Sequence, residues 1–209
     1  MTGIDLHTHT TFDHGKHTPE EMVKKAIELK MDLLGLAVHS PGRAGETWTA
    51  TKEGLAKFLK EMKRLKKVYD PKIWLLAGIE ADYHSDGPWK GFDYVIGSVH
   101  WLEYDCKLYP VDQSKEALCE IADRFEGGDL IAVAEKYYRT VGDVVRKTGC
   151  DVIGHFDLIT KFNENGVLFN ENDPRYVSAW QMAAKKLLKT GKPFEINTGA
   201  MSRGYRTLP

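Results

Sequence analysis

The 209-residue sequence predicts an α/β protein built on a parallel sheet of barrel type, and three observations carry that prediction. Short runs such as Leu33-Leu34-Gly35-Leu36-Ala37-Val38 and Ile73-Trp74-Leu75-Leu76-Ala77-Gly78-Ile79-Glu80 are apolar without alternation, as strands covered on both faces are. Segments with apolar residues at helical spacing separate most of these runs, the order of parallel β/α folds. The runs end on histidine or glutamate, and in such barrels the functional groups gather at the carboxyl ends of the strands.

The first strand is read at Ile4-Asp5-Leu6-His7-Thr8-His9-Thr10. Side chains alternate along a strand, so His7 and His9 fall on one face, and two imidazoles on one face are half a metal site. After a polar loop from Thr11 to His17, Thr18-Pro19-Glu20-Glu21 supplies a capping Thr, a Pro in the first turn and a Glu three residues after the Thr, which open a helix. Met22, Val23, Ala26, Ile27 and Leu29 form its apolar stripe. The second strand exits at His39-Ser40-Pro41-Gly42, and the helix after it turns Leu55, Phe58, Leu59, Met62, Leu65 and Tyr69 to one face before closing at Asp70-Pro71. The third strand ends on Glu80, and a fourth, Tyr94 to Trp101, carries His100; the loop from Asp82 to Phe92 leaves no room for a full helix between them.

Two helical patterns share residues 114–148, one about Ala117, Leu118 and Ile121, the other about Leu130, Val133, Ala134, Tyr137, Val141 and Val144, with Gly127-Gly128 dividing them. A fifth strand, Asp151 to Phe156, brings His155 to its end. Asp173-Pro174 opens a helix with Val177, Trp180, Ala184 and Leu187 inward, Gly191 stops it, and Pro193 to Thr198 reads as a sixth strand.

Composition narrows the function. With 42% apolar and 28% charged residues, and no repeat, low-complexity tract or linker, the chain reads as one domain over residues 1–209. A net charge of -1 provides no global field to recruit nucleic acid or an anionic membrane, so any phosphate recognition is local. The three cysteines, Cys106, Cys119 and Cys150, lack zinc-ribbon or redox spacing, which suggests reduced thiols in a cytoplasmic protein. No apolar run reaches the length of a membrane span, and the N-terminus lacks a secretory pattern.

Strand ends therefore offer His7, His9, His39, Glu80, His100 and His155. Histidine-rich sets with a carboxylate suit zinc, iron or manganese, whereas magnesium and calcium prefer oxygen shells. The candidates outnumber the ligands of one tetrahedral ion, so two or three divalent ions are implied, with Glu80 as the natural bridge. Ions about 3.5–4 Å apart lower the pKa of a shared water and clamp both sides of an in-line phosphoryl displacement, which makes ester hydrolysis the leading reaction class. No Cys lies in a phosphatase-type loop, and neither a Gly-x-Ser-x-Gly elbow nor a Gly-rich nucleotide loop is present.

Asp5-Leu6-His7-Thr8-His9-Thr10, His39, Gly78-Ile79-Glu80-Ala81-Asp82-Tyr83, Tyr94-Val95-Ile96-Gly97-Ser98-Val99-His100 and Gly154-His155-Phe156-Asp157-Leu158-Ile159 resemble successive motifs of the polymerase and histidinol phosphatase (PHP) family. Within it they resemble the monofunctional histidinol-phosphatases, and Glu195-Ile196-Asn197-Thr198-Gly199 also resembles that subgroup. The resemblance implies a distorted (β/α)7 barrel and hydrolysis of L-histidinol phosphate in histidine biosynthesis. It also implies that His7, His9, Glu80, His100 and His155 hold two ions, and it adds His14, which joins His39 at a third. The rival expectations are a PHP phosphoesterase for another small phosphate ester or a nucleotide, and a non-catalytic metal-binding module.

The sequence departs from the family pattern in places. The family closes its site with Asp-x-His near the C-terminus, on a last strand, and no such motif follows the sixth strand here, so a barrel lacking its C-terminal portion is expected. Val38 precedes His39 where the family often has Asp, and Thr160 stands where an Arg is expected to grip phosphate. Candidates for that grip are Arg203, Arg206 and Lys161, with Arg43 a weaker one, because guanidinium forks match phosphate oxygens. Their bland alternative is a set of solvated charges. Trp48, Trp89 and Trp101 either wall a pocket or pack in the core, His17 and His84 read as loop histidines, and Asp5, Asp82 and Asp157 are placed to orient neighbouring imidazoles.

Overall fold

The computed structural model describes residues 3–42 and 48–207. They fall into two compact units, Met1–Ala81 with Ser85–Ile96, and Asp82–His84 with Gly97–Pro209.

The first unit runs β1 (Gly3–Thr8), α1 (Pro19–Glu28), β2 (Met31–His39), α2 (Lys52–Tyr69), β3 (Trp74–Asp82) and the start of β4 (Tyr94–Ser98). Its strands lie in the order β1-β2-β3-β4, with β1, β2 and β3 parallel. The expected cap of α1 is present: Glu21 N donates to the Thr18 hydroxyl at 3.3 Å and Thr18 N to the Glu21 carboxylate at 2.7 Å. The apolar stripes seat Val23 and Ala26 of α1, and Phe58, Met62 and Leu65 of α2, in one core with Leu34, Leu36 and Val38 of β2 and Leu75 and Ala77 of β3. Each fully buried large side chain there contributes about 1.5–3 kcal/mol.

Two glycines in this core serve one aromatic ring. A Cβ on Gly35 would lie 2.3 Å from the Tyr94 hydroxyl, and one on Gly78 would lie 2.2 Å from its ring. Only hydrogen fits at either position, and the room left lets Tyr94 cross β3 and β2 and donate to Leu6 O at 2.5 Å.

The second unit contains the end of β4, a hairpin of β5 (Trp101–Tyr104) and β6 (Lys107–Pro110), α3 (Lys115–Phe125), α4 (Leu130–Val141), α5 (Val144–Thr148), β7 (Val152–Ile153), α6 (Pro174–Leu188) and α7 (Gly199–Ser202). Gly154 N donates to Gly97 O, which sets β7 beside the end of β4. Helices α4 and α6 pack together, with Tyr138 and Tyr176 sharing a 2.8 Å hydroxyl bond. Buried Asn163 organises the approach to α6, donating to Phe169 O and Glu171 and accepting from Leu168 N and Phe169 N.

Several expected elements are shorter here, and one is new. The fourth strand ends at Ser98, before His100, because the chain turns into the β5-β6 hairpin, whose Asp105 and Cys106 both take positive φ, as tight two-residue hairpins require. The second helical pattern breaks at Gly142, where a Cβ would lie 3.3 Å from the Ala183 backbone of α6. The fifth strand contracts to Val152–Ile153. The sixth is a single parallel bridge between Phe194 and Ile153: Asn197 folds its amide oxygen back onto Gly199 N, and Ile196, 82% exposed, gains no burial from extended pairing. Among the described residues, no helix is long and apolar enough to cross a membrane.

Candidate metal centre

The strand exits of the first unit build the site. His7 lies in the last pleat of β1 and His9 just past its end, and Thr8, between them, donates from its hydroxyl to Gly35 O at 3.0 Å. Residue His39 of β2 is in register with Glu80 of β3, and Ser40 N donates to Glu80 O, so two strand ends are locked side by side. Three ring nitrogens converge on one atom: Oε2 of Glu80 lies 3.0 Å from His7 Nε2, 3.2 Å from His9 Nε2 and 3.0 Å from His39 Nδ1. Glu80 is 1% exposed. A carboxylate this buried requires compensating positive charge.

The loop after β1 adds a second half. Asp13 N and Gly15 N both donate to Thr10 O, and a Cβ on Gly15 would lie 2.4 Å from Thr10 N and 2.5 Å from His9 O, so the tight return of the chain needs glycine at that position. That return brings in His14, the residue supplied by family resemblance, with its Nε2 3.0 Å from His39 Nε2. His9 and His39 stack with centroids 4.4 Å apart, and Trp48 stands edge-on to His39 at 4.7 Å. The return also brings in Asp13, whose Oδ2 accepts from His9 Nδ1 at 2.7 Å. Reading strand ends could not have found Asp13, because it lies in a turn where alternation is silent; the Asp-His-Gly sequence just past the strand was the available signal.

Within the first unit the ligand atoms form two groups, His7 with His9 and Glu80, and His9 with Asp13, His14 and His39, each with all atoms within 4.8 Å of one another. Imidazole nitrogens with a carboxylate are the donor set that zinc, manganese or iron takes. Burial alone would lower the pKa of His9, but hydrogen bonds and charge from Asp13 and Glu80 outweigh it and raise it. The cluster therefore favours a cation, whether proton or metal.

In the second unit His100 and His155 are buried, with rings 4.8 Å apart. Asp82 Oδ2 accepts from His100 N at 2.8 Å and from His100 Nδ1 at 3.3 Å, while its Oδ1 accepts from His84 N at 2.8 Å. The carboxylate expected to orient an imidazole does so at Asp82; Asp5 instead accepts from the backbone N of His7 at 2.9 Å. Lys161 donates to Asp112 through the backbone oxygen at 2.7 Å and the carboxylate at 3.1 Å. Arg206 donates to Thr160 O and approaches Glu171 at 3.5 Å, and Arg203 is exposed. Trp101 is half-buried in β5, His17 is exposed, and Arg43 lies outside the described residues.

Parallel strands that end in a nest of imidazoles and carboxylates define an α/β protein with a donor cluster able to hold metal. The PHP domain matches residues 5–199, and the chain belongs to the PHP family. It is 30% identical over 175 residues to a Deinococcus radiodurans protein named "Probable histidinol-phosphatase", a match covering 78% of this chain and spanning 64% of that protein's length. It is 23% identical to the histidinol-phosphatase of Bacillus subtilis, over 98% of this chain and 84% of that one. Its fold is that of the hisK crystal structure from Listeria monocytogenes, with a TM-score of 0.77 at 22% identity, covering 94% of this chain and 83% of the other.

Proposed function

We propose that this protein is a metal-dependent phosphomonoesterase that hydrolyses L-histidinol phosphate to L-histidinol and phosphate. The observation that carries the reading is the convergence of His7, His9 and His39 on one buried oxygen of Glu80. The names of the Deinococcus and Bacillus relatives support the substrate. The chain is read as one PHP-type domain over residues 1–209.

In this reading His7, His9, His14, His39 and Glu80 hold divalent zinc, manganese or iron, and His100 and His155 serve as further ligands. The chemistry such ions supply when bound is Lewis acidity toward a phosphoryl oxygen and a lowered pKa for a water molecule. Glu80 offsets the cationic charge that such ions bring to the cluster. His14 is the exposed member of its group and so the one open to an arriving phosphate ester, and Trp48 stands edge-on to the ring of His39. Arg203, Arg206 and Lys161 are the proposed phosphate contacts; Asp112 and Glu171 hold Lys161 and Arg206 in place.

Phosphate release from histidinol phosphate by the manganese- or zinc-loaded protein, measured beside sugar phosphates and nucleotides, tests the proposal. A kcat/KM for histidinol phosphate at least about tenfold above the panel is expected, which corresponds to about 1.4 kcal/mol of transition-state discrimination. Equal or lower turnover of histidinol phosphate defeats the substrate assignment, and failure to hydrolyse any phosphate ester defeats the enzyme class.

A further inference from the structure

We infer that Asp13 is a positioning carboxylate of the metal centre, holding His9 in the tautomer that ligates through Nε2 and tying the exit of β2 to the loop after β1. The inference rests on the metal-centre part of the proposed function and is independent of the substrate.

The Asp13 side chain is fully buried, and one oxygen does two tasks. Its Oδ2 accepts from His9 Nδ1 at 2.7 Å and from the backbone N of His39 at 2.9 Å. An ionised carboxylate only accepts, so the His9 proton resides on Nδ1 and the lone pair of the neutral ring is on Nε2. That nitrogen is the one facing Glu80 Oε2 at 3.2 Å. A carboxylate behind a ligating imidazole fixes its orientation and raises its basicity. The second unit repeats the device independently, with Asp82 accepting from the backbone N and the ring Nδ1 of His100. Gly15 makes the arrangement possible, since only a residue without Cβ lets the loop fold back this closely.

The remaining oxygen, Oδ1, is buried with no hydrogen-bond partner among the described residues, so direct ligation by Asp13 is the competing role. Asp13→Asn and Asp13→Ala separate the two. Zinc and manganese affinity is read by chelator competition, ion content by elemental analysis, folding by thermal melting, and the His9 tautomer by imidazole 15N NMR of the zinc-loaded protein.

Positioning predicts that Asp13→Asn melts like the wild type, because an amide oxygen still accepts from His39 N, and binds the same number of ions roughly 10–100-fold more weakly. The Nδ1-H signal of His9 shifts and loses protection with it, because a neutral amide oxygen is a weaker acceptor than a carboxylate. Should Asp13→Ala unfold, Asp13→Asn alone carries the test. Unchanged affinity and an unchanged Nδ1-H signal in Asp13→Asn overturn the inference, as does loss of one whole ion per chain, which makes Asp13 a ligand. Weakened metal binding in a protein inactive on histidinol phosphate leaves the inference standing and removes only the substrate.

Discussion

Apart from the Asp82, His100 and His155 group, the two units bury polar groups by different rules. The first sinks two carboxylates, Asp13 and Glu80, among imidazoles; the second sinks hydroxyls, with Tyr137 donating to His155 O and Tyr138 paired to Tyr176. Burial pushes the phenols of Tyr137 and Tyr138 well above their ordinary range and that of Tyr176 up to about 12, so they stay neutral and one hydrogen bond satisfies each. A buried carboxylate gains no such neutrality while imidazolium or metal is near. The charged side chains of the second unit sit instead near its surface, as Asp143 does with Arg146 and Lys186. A buried hydroxyl network serves stability, whereas a buried cluster of carboxylates and imidazoles is suited to holding a cation.

That contrast can be broken at its strongest point by Glu80→Gln, which keeps the shape and removes the anion. We expect loss of bound metal and a fall in kcat/KM of roughly 10³-fold or more, about 4 kcal/mol, read by elemental analysis and phosphate release. A variant that keeps both would erase the distinction between the units. Next in size is Gly78→Ala, where the added methyl meets the Tyr94 ring 2.2 Å away. Overpacking of this kind costs about 3 kcal/mol, which urea denaturation would report, and wild-type stability would show that Tyr94 is not fixed in that slot. Tyr138→Phe, in the second unit, is expected to lose about 1 kcal/mol and leave metal content as in the wild type, since Tyr138 belongs to neither group of ligand atoms in the first unit.

The smallest effect concerns pH. Hydrogen bonds from Arg146, opposed by partial burial and supplemented by Lys186, hold the Asp143 carboxyl well below its ordinary 3.8. A depressed carboxyl contributes stability that is present above 3.8 and is lost as pH falls from there through the folded value. Asp143→Asn should therefore cost up to about 1 kcal/mol at neutral pH, and the gap to the wild type should close in acid. A gap that stays the same size between pH 5 and pH 2 would assign the effect to packing.

Much of this was legible where strands are long and in register. The cap at Thr18, the stripes of α1 and α2, and the delivery of His7, His9, His39 and Glu80 to strand ends follow from periods of two and 3.6 residues. Legibility fell where local periodicity stops governing the chain. Asp13 reaches the site through a turn, and the β5-β6 hairpin depends on positive φ at Asp105 and Cys106 without the glycine that usually signals it. Phe194 to Thr198 has strand composition, yet side-chain bonding at Asn197 turns the backbone away. Lys161 and Arg206 were identified by their charge; sequence gives no sign that Asp112 and Glu171 face them.

Anomalous X-ray scattering from crystals of the purified protein, recorded above and below the zinc, iron and manganese edges, tests the central claim most directly. The account predicts a metal peak within bonding distance of Glu80 Oε2 and of ring nitrogens of His7 and His9. A clean map there in protein saturated with these metals, with His7, His9 and Glu80 in their present positions, would contradict it.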